Sequence, residues 1–172
     1  QSLAAGARCF THLFNAMSQM VNRAPGVTGA AINSDAYAGF ICDGKHVADE
    51  MLALAIRARP VADRMFLVSD AMPTVGGPDQ FEIYGQIISL RDGQLVNQEG
   101  SLAGAHVTQL EGVARLVSKL GISPEQALRM AITVPANLMG VHHLATLKGR
   151  KIVDVVHLDA QFETANAIPI LA

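Results

Sequence analysis

The chain has 172 residues, half of them hydrophobic and 16% charged, enough for one globular domain with a real core. A formal net charge of -2, with both signs interspersed, leaves no electrostatic footprint for nucleic acid, and no run of about 18 apolar residues offers a membrane span. The opening "QSLAAGARCF" has neither the charged-then-apolar layout of a signal peptide nor an initiator methionine, which predicts a fragment or a trimmed chain.

The first predicted element is a buried strand over Arg8–Leu13, which carries His12 and runs on to Asn15. "NRAPGVTGAAINSD" follows as a loop with a short helix around Val27–Ile32. A second buried strand is expected over Tyr37–Cys42, ending at Asp43-Gly44. In "KHVADEMLALAIRARP" the apolar residues Val47, Met51, Leu54 and Ala58 recur at three- and four-residue steps, which predicts a helix burying that face and ended by Pro60. A third buried strand over Met65–Ser69 runs into Asp70. The order β, α, β, α, β implies parallel strands with right-handed crossovers, whose functional residues gather beyond the carboxyl ends of the strands. His12, Asp43 with His46, and Asp70 all fall there.

After Asp70 the pattern changes. "QFEIYGQIISLRDGQLVNQEG" alternates apolar and polar residues, with Asp92-Gly93 as a hairpin signal, so a small antiparallel excursion is expected. Thr108 and Glu111 form a capping box before the stripe Leu110, Val113, Val117 and Leu120, which stops at Gly121. Ser123-Pro124 opens another helix, with Gln126 at the capping-box position, and Pro135 is expected to interrupt it. "KIVDVVHLD" reads as a final strand. Cys9 and Cys42 sit in apolar runs far apart, which predicts two buried, reduced thiols and a cytoplasmic setting.

A strand-end histidine such as His12 is either a hydrogen-bonded core residue or a ligand, and company at the same face favours the ligand. Imidazole suits zinc or iron, and Asp70 at a neighbouring strand end could orient and deprotonate water; a turn or helix-cap role is its alternative. His46 could equally sit in the first turn of its helix, with Asp43 a turn-former beside Gly44. Arg23 could clamp a phosphate or lie solvated. His106, His142 and His143 read as structural or surface residues. The spacings HExxH, HxH and paired CxxC are absent from the sequence, so a complete metal site is not visible in it.

"THLFNAM", "RAPGVTGAAI", "ICDGKHV", "LVSDAM", "GSLAGAHVT" and "LRMAITVPANLMG" resemble, in order and spacing, the carboxyl-terminal half of N-acetylglucosamine-6-phosphate deacetylases of the amidohydrolase superfamily. The resemblance implies an α/β fold: the last part, strands six to eight, of a (β/α)8 metal-dependent hydrolase barrel over residues 1–140. It adds a β-hairpin insertion at about 80–99, and a segment 141–172 belonging to a small β-sandwich. It implies that His12 binds a divalent metal, zinc or iron, and that Asp70 is the catalytic aspartate. Asn15, Ala16 and Arg23 would hold the sugar phosphate, the arginine reaching a neighbouring subunit's site in a homodimer. Asp43, Gly44, Lys45 and His46 would form the substrate-contacting loop, and Leu102, Ala103 and Gly104 a loop closing over the sugar. The implied reaction is hydrolysis of the acetamide of N-acetylglucosamine 6-phosphate, with neither nucleic acid nor membrane as partner. The family's other metal ligands, a glutamate and a second histidine, match nothing here. His106 stands where a small residue is usual, and Arg150 where glycine is. The alternative expectation is a non-catalytic partial barrel that only binds sugar phosphate or self-associates.

Overall fold

Three short parallel strands organise the structure, a computed structural model that describes residues 1–167: β1 (Cys9–Phe10), β2 (Tyr37–Phe40) and β3 (Met65–Leu67). They lie in the order β1-β2-β3, with Cys9 opposite Tyr37 and Ala38 opposite Met65. Helix α1 (Gly26–Ile32) connects the first pair and α2 (Asp49–Ala58) the second. The strands are shorter than the apolar runs that encode them. Beyond Phe10, Phe40 and Leu67 only single backbone bonds continue, Leu13 N–H to Gly39 and Val68 N–H to Phe40, before the chain reaches the polar residues Asp43 and Asp70.

All four residues of β2 are buried, as expected of a central parallel strand covered on both faces. Its side chains alternate. Ala38 and Phe40 join the main core with Leu52, Ala55, Leu67, Val113 and Leu116, while Tyr37 packs on the other face with Phe66 and Val134. Leu52 and Ala55 are the fully buried residues of α2, and Ile56 packs beside them, whereas Met51 and Leu54 are exposed. The helix was correctly expected, but its buried face lies one residue further round than the predicted stripe. Two apolar stripes share the same 3.6-residue period, and the sheet's position decides which is covered.

Cys42 is buried, but Cys9 is exposed, contrary to expectation, because β1 is an edge strand with no neighbour on its outer side among the described residues. Burial, reinforced by the nearby Asp49 carboxylate, pushes the Cys42 thiol up to about 12, so it behaves as a small core hydrophobe.

The antiparallel excursion is present as β4 (Gln80–Ile83), β5 (Gln86–Arg91) and β6 (Gln94–Val96). Asp92-Gly93 and a second pair, Tyr84-Gly85, make its turns, all four residues at positive φ as a two-residue hairpin loop requires. Helix α3 (Gln109–Ser118) starts on the full Thr108–Glu111 capping box. Helix α4 (Pro124–Leu128) is capped by the Ser123 hydroxyl, which accepts from the Gln126 amide. Pro135 does not stop the helical course. A π-helical turn over Arg129–Thr133 carries it into α5 (Val134–Leu138), where the proline sits in the first turn and its missing N–H costs little. "KIVDVVHLD" is a strand only in its second half: Ile152–Asp154 form a 3-10 turn, and β7 (Val156–Leu158) pairs antiparallel with β8 (Ala165–Ala167).

Candidate active site

The loop after β2 is built around one carboxylate. Asp43 Oδ1 accepts from the backbone N–H groups of Lys45 and His46, each at 2.9 Å, and Oδ2 lies 2.7 Å from His46 Nδ1. Asp43 is the turn-former that the sequence suggested, and it is also the histidine's partner, which the sequence did not show. His46 lies three residues before α2, not in its first turn. Both side chains are only 8% exposed, so this pair is far better fixed than a surface pair. Burial raises the Asp43 carboxyl, but the hydrogen bonds from the His46 ring and from the two amides outweigh it and hold the group at about 2. The same hydrogen bond raises the His46 imidazole above its usual value against the effect of burial, with help from the charges of Asp43 and Asp70. With Nδ1 engaged by Asp43, Nε2 is the ring nitrogen offered to a ligand.

His12 and Asp70 follow the two outer strands, not neighbouring ones as expected, because β2 lies between β1 and β3. Strands two places apart in a flat sheet are about 9.5 Å apart, so meeting across β2 requires both side chains to reach inward on a curved face. They do meet: His12 Nε2 lies 3.4 Å from Asp70 Oδ1. His12 Nδ1 is 2.6 Å from the Thr11 hydroxyl, which fixes the ring's other nitrogen. Both residues have positive φ, 55° and 52°, as do Phe14 and Ala16 in the same loop, 76° and 53°. A left-handed non-glycine residue costs about 1–2 kcal/mol, and here such residues cluster where side chains must be re-aimed after a strand. Asp70 caps no helix. Its carbonyl accepts from Ala105 N–H at 2.9 Å, tying the strand end to the Leu102–Gly104 loop. Gly104 is left-handed, and a Cβ there would run into Met72, so the loop approaches the strand end only as glycine.

A cleft of about 750 Å³ brings together His12, Asn15, Ala16, His46, Asp70, Leu102 and Gly104. Asp43 and Lys45 line a separate, smaller hollow of about 230 Å³ behind the loop, with His106, Glu111 and Arg115. Arg23 and Ala103 do not line the cleft; Arg23 lies exposed within the Val21–Ala24 bridge. His106 is structural, its Nδ1 2.9 Å from the Thr74 hydroxyl, and His142 and His143 are exposed in a 3-10 turn. Another groove, about 370 Å³ and largely apolar, runs between the Arg129–Thr133 turn and residues 144–156, and contains no predicted site residue.

Two ligands of a tetrahedral zinc, each 2.0–2.2 Å from the ion, lie about 3.4 Å apart. The His12–Asp70 separation fits two such corners. Among the described residues no group of three or more His, Cys, Asp or Glu could hold a metal ion, so these two do not complete a site.

Fold and site together define an α/β protein that gathers its polar groups beyond the carboxyl ends of parallel strands. No family model matches the chain. It is 34% identical over 164 residues to an N-acetylglucosamine-6-phosphate deacetylase of Vibrio furnissii, covering 94% of this chain and 41% of the relative. It is 32% identical over 152 residues to a putative N-acetylgalactosamine-6-phosphate deacetylase of Escherichia coli, covering 87% of this chain and 90% of the relative. The crystal structure of the Pasteurella multocida N-acetylglucosamine-6-phosphate deacetylase superposes with a TM-score of 0.87 at 36% identity, over 94% of this chain and 43% of that one. A mutant Mycobacterium smegmatis enzyme, solved in complex with N-acetyl-D-glucosamine-6-phosphate, superposes at 0.74 with 27% identity, over 81% of this chain and 38% of that one. The chain belongs to the N-acetylglucosamine-6-phosphate deacetylase family and corresponds to the carboxyl-terminal half of its longer members. It spans about two-fifths of the length of the Vibrio relative.

The sequence did not signal Asp49 and Arg115, whose side chains pair beside the His46 loop although 66 residues separate them. Only the first-turn position of Asp49 in α2 was legible, and it has its own explanation in the helix dipole.

Proposed function

We propose that this chain supplies the proton-transfer and phosphate-binding part of a metal-dependent deacetylase. The reaction is hydrolysis of the acetamide of N-acetylglucosamine 6-phosphate to glucosamine 6-phosphate and acetate. One observation carries the reading: His12 and Asp70, from the ends of two strands that are not neighbours, meet at 3.4 Å in a cleft that also holds His46. In this reading β1–β3 are the sixth to eighth strands of a (β/α)8 barrel, β4–β6 are an insertion, and the segment 141–172, whose last five residues lie outside the described ones, belongs to a small β-sandwich.

His12 is one ligand of a zinc or iron ion whose remaining ligands come from outside this chain. Bound there, the ion supplies Lewis-acid polarisation of the amide and acidification of water. Asp70 accepts the proton from the attacking water and returns it to the departing amine, which needs a carboxylate within hydrogen-bond reach of both. His46 presents Nε2 to the substrate, donating to an oxygen as the imidazolium and accepting from a hydroxyl when neutral, with its Nδ1–H held by Asp43. Asn15 and the Ala16 backbone receive the phosphate, Arg23 joins them from the second subunit of a cytoplasmic homodimer, and Leu102–Gly104 close over the sugar. Asp43, Gly44 and Lys45 shape the loop without lining the cleft. Anchoring the phosphate uses binding remote from the amide to orient it.

A second reading has its own support. The outer edges of β1 and β3 carry no further strand among the described residues, and open edges pair with other chains. On that reading the isolated chain binds sugar phosphate without turnover, or self-associates.

The test joins residues 1–172 to the remaining portion of the Vibrio furnissii enzyme in place of its matching region, and compares amine release with that of the chain alone. Turnover of N-acetylglucosamine 6-phosphate by the hybrid, but not by the chain alone with zinc or iron supplied, is expected. A folded, metal-loaded hybrid without turnover overturns the deacetylase reading, and turnover by the chain alone overturns its incompleteness.

A further inference from the structure

The loop that presents His46 rests on a guanidinium that belongs to neither strand nor loop. Arg115, from α3, makes a two-pronged ion pair with Asp49 in the first turn of α2: Nε donates to Oδ1 and Nη2 to Oδ2, both at 2.8 Å. Its planar head lies directly against Gly44, the residue between Asp43 and His46 with φ +69°. A Cβ on residue 44 would overlap the guanidinium itself, so the absent side chain is the seat for the arginine. Asp49 restrains one end of the segment 44–49, and Asp43 ties the other to the His46 ring at 2.7 Å.

We propose that Arg115, locked by Asp49, is a positioning residue for His46. Pressing on Gly44, it holds the Asp43 carboxylate and the His46 ring in register, so that Nδ1 carries the proton and Nε2 faces the cleft. A lysine could not do the same, because a flexible ammonium lacks both the fork and the flat face. The pair is also partly sheltered, with side chains 31% and 23% exposed, unlike an idle surface contact. The alternative, that the pair only fastens α2 to α3, predicts lost stability without any change at His46. The inference deepens the reading of His46 as a substrate-facing group.

The measurement is the long-range proton–nitrogen NMR spectrum of the histidine rings in the nitrogen-15-labelled 172-residue chain, at a pH where they are neutral. His46 is expected to show a single tautomer protonated on Nδ1. Arg115→Met and Asp49→Asn should each replace it with the averaged signal of an unconstrained imidazole. Arg129→Met should leave it unchanged, although it removes the similar Arg129–Asp63 pair elsewhere on the fold. A wild-type His46 pattern in either the Arg115→Met or the Asp49→Asn variant, with the core amide spectrum retained, overturns the proposal. If Arg115→Met does not fold, Asp49→Asn decides, because it keeps the side chain's size while removing the charge and one of the two acceptors. A hybrid enzyme without turnover alongside the expected tautomer behaviour would remove the deacetylase reading and leave the positioning role standing.

Discussion

His46 and His12 stand at the ends of adjacent strands in one cleft, yet the chain treats them differently. His46 is 8% exposed, paired with Asp43, and carried on a loop whose glycine seats Arg115. The His12 side chain is 40% exposed, held by a neighbouring hydroxyl and a left-handed backbone, and faces Asp70 across 3.4 Å. The first is finished by residues of this chain alone. The second is, on the proposed reading, a metal ligand that the described residues of this chain do not complete. Order in this site therefore follows the supply of neighbours, with β2 enclosed on both sides and β1 left at an edge.

The strongest way to break the comparison is to remove the core beneath both histidines. Phe40 is fully buried on β2, and Phe40→Ala should cost about 3–5 kcal/mol in denaturant unfolding, enough to unfold much of the chain. A loss below about 1 kcal/mol would mean that β2 is not the organising strand. In the hybrid enzyme, Arg23→Ala should raise KM for the phosphorylated sugar about tenfold or more with little change in kcat, as loss of a remote binding contact does. An equal loss on unphosphorylated N-acetylglucosamine would count against a phosphate clamp.

The pH dependence of stability tests the Asp43–His46 pair more finely. Asp43 is depressed from 3.8 to about 2, so its contribution is complete above 3.8 and lost as pH falls towards 2. His46 is raised above 6.5, so its contribution is complete below 6.5 and lost as pH rises through the raised value. The pair therefore stabilises most between 3.8 and 6.5, and Asp43→Asn should flatten that maximum in urea unfolding series. An unchanged profile would show that the bond does not hold in solution. The smallest effect is expected furthest from the cleft: Thr108→Ala removes the α3 capping box and should cost about 1 kcal/mol while leaving both histidines' NMR signals in place.

Much of this was legible in the sequence because it is local or periodic. The parallel β-α-β-α-β order, the Asp92-Gly93 hairpin and the α3 capping box each follow from residues within a few positions of one another. What failed depended on tertiary context. The buried face of α2 was set by where the sheet lies, Cys9 by the edge position of β1, and the course through Pro135 by a π-helical turn that absorbed it. The site divides the same way. Asp43 was readable as a turn-former and His12, His46 and Asp70 as residues beyond strand ends, but the bond between Asp43 and His46 was not. The Asp49–Arg115 pair, 66 residues apart, left no pattern to find.

The most direct test of the account is turnover by the hybrid enzyme carrying Asp70→Asn, measured together with its bound metal. The account predicts turnover of N-acetylglucosamine 6-phosphate lowered by about 10²–10⁴, the range for a proton-transferring group, with metal content unchanged. Retained turnover at full metal occupancy would contradict it, because the meeting of His12 and Asp70 would then have no part in the chemistry.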